Sequence, residues 1–291
     1  MRIYILTLSG PARPGIIAAV SAWLAEKSCN ITDLAQFQDA EAGRFFMRIC
    51  LIAPPSPDLP ALQRDFAPLA AQFGLQAAFH DKTAKMKILI MASKFSHCLY
   101  DLLYRRQTGT LPVEIAGIVA NHDIYGELAG RHGIPFHYIP VSKENKAEAE
   151  RKLAAVVAQS GAELIVLARY MQVLSESLCR EMSGRIINIH HSFLPGFKGA
   201  NPYKQAYQRG VKLIGATAHY VTADLDEGPI IEQDVIRISH AQSAADFVVM
   251  GRDVETQVLA RAVLAHSQRR SFIDGARVIV LPPENGGYAP V

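Results

Sequence analysis

Residues 185–201, R-I-I-N-I-H-H-S-F-L-P-G-F-K-G-A-N, open as an apolar run of strand type. They break into a Pro/Gly-punctuated loop once Asn188, His190, His191 and Ser192 have been delivered. Side chains alternate along a strand, so Asn188 and His190 project from one face, a carboxamide beside an imidazole at the mouth of a sheet. Such a pair can hold and polarise a carbonyl.

Working upstream from this strand, hydrophobic periodicity predicts strands at Ile88–Ala92, Val113–Ala120, Phe136–Ile139 and Glu163–Ala168. Helices are predicted between them at Ser96–Gln107, Asp123–His132, Lys143–Gln159 and Leu174–Met182. Downstream come a short helix near Tyr203–Arg209 and strands at Leu213–Val221 and Ile230–Ile238. A last helix runs from Ser243 to about Ser267 and opens with a capping-box-like S-A-A-D. Strand and helix in alternation predict a mostly parallel, Rossmann-like α/β sheet, in which ligands lie beyond the carboxyl ends of the strands.

The first third reads differently. A strand at Arg2–Leu8, a helix from Pro14-Gly15 to about Lys27, strands at Ile31–Gln38 and Arg44–Ile52, a helix at Asp58–Phe73 and a strand at Leu75–His80 give the order βαββαβ. That is a ferredoxin-like arrangement. Its opening, G-P-A-R-P-G-I-I-A-A-V-S (10–21), resembles an ACT domain, a small regulatory module that often binds amino acids. The Gly-flanked turn could offer backbone N–H groups to a carboxylate, or serve only as a tight strand-to-helix turn. Ala12 stands where such modules usually carry an acid. The polar segment 80–87, H-D-K-T-A-K-M-K, marks the expected boundary, with a regulatory domain at 1–83 and a catalytic domain at 84–291.

Composition excludes several classes. The 291 residues are 49% hydrophobic and 20% charged, with 30 Lys and Arg against 27 Asp and Glu. A net charge of +3 without a basic run does not suit a general nucleic-acid binder. No 18-residue uncharged apolar run occurs and the first residues form one strand, so no membrane partner is expected and the cytoplasm is the expected compartment. Cys29, Cys50, Cys98 and Cys179 are far apart and outside any zinc spacing, which predicts reduced, packed thiols and no metal.

The remaining chemistry lies in A-H-Y-V-T-A-D-L-D-E-G-P-I-I (218–231), a strand ending in a loop with Asp224, Asp226 and Glu227. Bunched loop acids are ordinarily solvated. This loop joins two strands expected to end near the sheet mouth, so one carboxylate can meet His190. An Asn, a His and an Asp on one carbonyl supply an oxyanion donor, an electrophile and a base, an acyl-transfer site without a protein nucleophile. Ser192 lacks the G-x-S-x-G elbow and Cys98 lies on a predicted helix, so neither reads as a nucleophile. His219 is read as a hydrogen-bonded structural residue that could also support the site.

N-I-H (188–190), S-F-L-P (192–195), G-A (199–200) and H-Y-V-T-A-D-L-D-E-G-P-I-I (219–231) together resemble the folate-dependent formyltransferase-fold family. L-A-R-Y-M-Q-V-L-S (167–175) is similar to the segment that lines its pterin pocket. The doublet His190-His191, where transferases usually have His-Pro, resembles the deformylase branch, as do A-S-K-F-S-H-C-L (92–99) and the ACT-like start. The resemblance covers essentially the whole chain. It implies hydrolysis of 10-formyltetrahydrofolate to formate and tetrahydrofolate, with the folate as substrate and no cofactor required. It matches Asn188, His190 and Asp226 to catalytic positions. Met171, Gln172, Val173 and Leu174, with Thr222, Ala223, Asp224 and Leu225, match folate-binding positions. The implied partners are the folate and water, an amino-acid effector at the ACT-like domain and, by analogy, further copies of the chain in a homo-oligomer.

Two other functions are weighed against hydrolysis. A glycinamide ribonucleotide formyltransferase needs a Gly-rich loop after the first sheet strand to approach phosphate, and this chain has Met91-Ala92-Ser93-Lys94-Phe95-Ser96 there. A non-catalytic folate or amino-acid sensor has no need of a matched Asn, His and Asp. His191 keeps two readings, a polar group that holds water in the acceptor site or a hydrogen-bonded loop residue.

Overall fold

A computed structural model describes residues 1–56, 58–196 and 202–284. The chain forms two compact units. One comprises Met1–Lys85 with Gln268–Asp274 and the segment from Ile279; the other comprises Met86–Ser267 with Gly275–Val278.

The first unit contains β1 (Arg2–Pro11), α1 (Ile16–Glu26), β2 (Asn30–Asp39), β3 (Arg44–Ala53), α2 (Leu59–Phe73) and β4 (Gln76–Asp81). The strands form an antiparallel sheet of order β2-β3-β1-β4, the βαββαβ arrangement expected. Helix α1 buries Ile16, Val20 and Leu24 at helical spacing, and α2 buries Leu62, Phe66 and Ala70. Asp58 caps α2 by accepting from Ala61 N–H at 3.0 Å, which places the helix start one residue after the expected one. Only residues 82–85 of the polar segment lie outside strands.

The second unit contains β5 (Met86–Ala92), α3 (His97–Thr108), β6 (Val113–Ala120), α4 (Gly126–Arg131), β7 (Phe136–Tyr138), α5 (Lys146–Ser160) and β8 (Leu164–Ala168). It continues with α6 (Glu176–Glu181), β9 (Ile186–His190), α7 (Pro202–Arg209), β10 (Leu213–Tyr220), β11 (Ile230–Arg237) and α8 (Ala244–Ser267). Strands β7-β6-β5-β8-β9 pair in parallel, and β10 and β11 extend the sheet antiparallel. Along β5 the buried residues alternate between two cores. Ile88 and Ile90 pack with α3 and α8, while Leu89 and Met91 pack with α5 and α6. Helices therefore cover both faces of this strand, which is why it reads as a continuous apolar run.

Two differences from the sequence reading have local causes. Helix α6 begins after Ser175, whose hydroxyl accepts from Leu178 N–H at 3.3 Å, so Leu174 stays in the preceding loop rather than the helix. The short strands β12 (Ser271–Asp274) and β13 (Arg277–Val280) follow α8, and four residues each give too little periodicity to read. Among the described residues no helix is long and apolar enough to cross a membrane.

Candidate active site

Strand β9 ends by presenting Asn188 and His190 two residues apart on one face. Its antiparallel neighbour β10 places His219 opposite Asn188 and Thr217 opposite His190. Thr217 then fixes the loop after β9: its hydroxyl donates to Ser192 O at 2.9 Å and accepts from Leu194 N–H at 3.0 Å. Residues 197–201, including the G-A of the sequence motif, lie outside the described residues.

Because β10 runs antiparallel, its carboxyl end at Tyr220 lies opposite Ile187, near the start of β9. The loop after it was expected at the sheet mouth. It instead reaches His190 by folding back over the sheet face, which brings Asp226 Oδ2 to 3.2 Å from His190 Nδ1 and Asp226 Oδ1 to 3.6 Å from His219 Nε2. The fold-back needs unusual backbone. Asp226 has φ +57°, and a Cβ on Gly228 would lie 1.7 Å from Tyr220 O. Strain of this kind persists where the surroundings impose it and clusters at functional sites.

The polar contacts fix orientations. His219 Nδ1–H donates to Tyr220 O at 2.9 Å, leaving Nε2 to accept from the Asn188 carboxamide at 3.2 Å. His190 is 5% exposed, and its Nε2 is buried without a hydrogen-bond partner. The His190 hydrogen bond and then the nearby His219 ring outweigh partial burial and hold the Asp226 carboxyl well below the usual carboxylate range. His191 goes the other way. Burial, with the Arg169 cation nearby, pushes its pKa down to about 3, so its imidazole is neutral near pH 7.

A cavity of about 840 Å³ opens over these groups. Its wall includes all eight expected folate-contacting residues: Met171, Gln172, Val173 and Leu174 from the loop after β8, and Thr222, Ala223, Asp224 and Leu225 from the folded-back loop. Met171, Val173 and Leu225 are more than half exposed. An exposed apolar rim of this sort suits a flat, largely apolar ligand. Asn188, His190, His191, His219 and Asp226 line the same cavity, so all the residues singled out from the sequence meet in one place.

Several residues of the site had no local signal. Ser93, at the end of β5, accepts from Met171 N–H at 3.0 Å and donates to Asn121 Oδ1 at 2.7 Å, tying the 171–174 loop to the sheet. Glu255 is 1% exposed within α8. Its Oε1 accepts from Tyr203 Oη at 2.6 Å, and its Oε2 lies 2.8 Å from His97 Nε2 and 3.3 Å from Arg169 Nε. The available clue was an acid at the i+4 position from Gly251 and the i−4 position from Leu259, on the apolar stripe of α8. Burial raises the Glu255 carboxyl, but the His97 hydrogen bond, Arg169 and Tyr203 outweigh it and the net shift is downward. His97, Cys98 and Glu255 bring ligand atoms within 4.8 Å of one another. The guanidinium beside Glu255, and a Cys98 thiol kept neutral by burial, make that set a poor cation site.

An ACT domain model matches residues 2–80 and a formyl transferase model matches residues 86–263. The chain is 48% identical over 279 residues to formyltetrahydrofolate deformylase from Corynebacterium sp. (strain P-1), covering 96% of this chain and 98% of that one. The crystal structure of formyltetrahydrofolate deformylase from Burkholderia mallei superposes with a TM-score of 0.91 at 50% identity, covering 96% of this chain and 99% of the other. Glycinamide ribonucleotide transformylase 1 from Symbiobacterium toebii reaches a TM-score of 0.65 at 29% identity, covering 68% of this chain and 95% of its own. Near-complete coverage at close to half identity, with both domain models matched in order, places this chain in the formyltetrahydrofolate deformylase family.

Proposed function

We propose that this protein hydrolyses 10-formyltetrahydrofolate to formate and tetrahydrofolate, with Asn188, His190 and Asp226 as the catalytic groups. The observation that carries the assignment is the buried, unpartnered Nε2 of His190 in a folate-sized cavity, on an imidazole whose other nitrogen faces an ionised Asp226. Asp226 holds His190 at Nδ1, which aims the unpartnered Nε2 at the formyl oxygen as it becomes an oxyanion. Asn188 gives one amide N–H to His219 and has a second for the same oxygen. Water adds to the formyl carbon, Asp226 orients it and takes up its proton, and the tetrahedral intermediate collapses by breaking the bond to N10, which is protonated as it leaves. Formate and tetrahydrofolate are the products.

In this reading the pterin sits between residues 171–174 and 222–225, where loop N–H and C=O groups meet its amide edge and the apolar rim covers its faces. The test is to incubate the protein with 10-formyltetrahydrofolate, with and without glycinamide ribonucleotide, and to measure formate. Formate release without the ribonucleotide supports hydrolysis. Turnover only in its presence makes the chain a transferase, and tight folate binding without turnover makes it a sensor.

A further inference from the structure

Arg169 follows β8 with φ +63°, a left-handed backbone that glycine adopts freely and side-chain-bearing residues rarely do. It is 8% exposed, it lines the cavity, and its Nε is buried without a hydrogen-bond partner. Glu255 Oε2 lies 3.3 Å from that Nε as a charged neighbour, but among the described residues the Arg169 guanidinium donates no hydrogen bond. A strained backbone and an unsatisfied buried donor both cost stability, and together they point to a group that the side chain serves.

Arg252 lines the same cavity from α8. Its guanidinium carbon lies 5.6 Å from the centre of the Phe95 ring, and that of Arg169 lies 5.3 Å from the same centre, so two cations share one ring. Among the described residues Arg252 has no ion pair. Glu255 offsets one of the two charges, and its oxygens are already engaged by Tyr203 Oη at 2.6 Å and His97 Nε2 at 2.8 Å. This end of the cavity therefore keeps a net positive charge and free N–H edges, the fork that matches a carboxylate.

The same end adjoins the reaction centre. The His191 ring centre is 5.3 Å from that of His190 and 6.0 Å from that of Tyr203, whose hydroxyl reaches Glu255 beside Arg169. Hydrolysis at His190 makes formate, an anion, while the 171–174 and 222–225 loops still hold tetrahydrofolate. The guanidinium end is the part of the wall that the pterin leaves open to it.

Resting on the hydrolase reading above, we propose that Arg169 is the core of a formate site, its free guanidinium edge receiving the product carboxylate after the bond to N10 breaks, with the neighbouring Arg252 charge strengthening the hold.

The site can be read without turnover. Saturation-transfer NMR on the C–H proton of formate measures its affinity, with sodium formate replacing sodium chloride at constant ionic strength so that chloride is the competing anion. Arg169→Gln keeps the length of the side chain and removes its charge. Arg252→Gln removes the second charge at a position tied down by no ion pair, so it decides the matter if the first variant does not fold. The expected result is saturable formate binding that weakens by roughly tenfold or more in Arg169→Gln, the scale of losing a charge-assisted pair, and by a smaller factor in Arg252→Gln. Sodium formate should also slow hydrolysis at saturating folate in the unaltered protein, and slow it less in either variant, each measured against its own uninhibited rate. A purely structural role for the two arginines would leave both readouts unmoved. No saturable binding to the unaltered protein, or equally strong binding in the folded variants, overturns the inference and leaves the hydrolase reading standing. Absence of formate production from 10-formyltetrahydrofolate by the unaltered protein overturns that reading, and with it the role of formate as product, whatever the binding measurement gives.

Discussion

His190 Nδ1 and Asp226 Oδ2 meet at 3.2 Å, although the two residues lie 36 positions apart and on segments that start from opposite ends of β9. The meeting depends on the left-handed backbone of Asp226 and on the absence of a side chain at Gly228. Asp226→Asn keeps the shape of the side chain and removes its charge. Formate release should fall by roughly 10²-fold or more, the scale of losing one group that acts on the developing charge, with the folate KM little altered. Full activity in folded Asp226→Asn protein would take Asp226 out of the mechanism. Steady-state kinetics with circular dichroism decides it.

His191 makes a prediction about acid stability. Its folded pKa is about 3 against about 6.5 for a free histidine, so between those values the unfolded chain binds a proton that the folded chain does not. The neutral imidazole's contribution is fully present above about pH 6.5 and is lost as pH falls toward 3. His191→Gln has no such proton to take up. Urea midpoints at pH 7.5 and pH 5 should therefore fall less between the two pH values in the variant than in the parent protein. Equal falls would show that His191 is not held neutral.

Most of the site was legible because its residues carry their signal locally. Asn188 and His190 alternate on an apolar run, and Asp226 lies in a loop closed by Gly228 and Pro229. The run at β6 is read to the residue, since a buried strand is bounded sharply by polar turns. The route of Asp226 to His190 was not legible, because strand direction is set by pairing and not by the strand's own residues. Glu255 and Arg169 escaped for a related reason. They are 86 residues apart, and nothing around either one announces that the other will share its burial. Ser93 looks like an ordinary loop residue until the 171–174 loop arrives beside it.

That tie gives a test of the proposed pterin pocket. Ser93 Oγ accepts from Met171 N–H and donates to Asn121 Oδ1, and Ser93 is 2% exposed. Ser93→Ala unties the Met171 N–H and strands the buried Asn121 Oδ1, the latter at a cost of about 1–3 kcal/mol before relaxation. The 171–174 loop should loosen, so the folate KM should rise several-fold while kcat changes less. A drop in kcat at constant KM would place Ser93's influence on the chemistry and not on the loop.

The first unit offers a prediction in which two partners of one carboxylate are weighed. Arg48 is 1% exposed; it donates to Gln268 O at 2.8 Å and to Glu284 Oε1 at 2.8 Å, and lies 3.5 Å from Asp33. Burial raises the Glu284 carboxyl, but hydrogen bonds from Cys50, Lys82 and Arg48 outweigh it and bring the pKa down to about 2. Glu284→Ala leaves the buried Arg48 cation with only the longer Asp33 contact for charge compensation, a loss of about 3–5 kcal/mol for breaking a buried pair. Lys82 is 36% exposed, so Lys82→Ala removes a screened partner and should cost about 1 kcal/mol or less. Because the folded pKa of Glu284 is depressed, its contribution is present at neutral pH and is lost as pH falls toward 2. The stability gap between Glu284→Ala and the parent protein, measured by urea unfolding, should therefore narrow on acidification. Equal costs for the two substitutions at pH 7 would mean that Arg48 does not depend on Glu284.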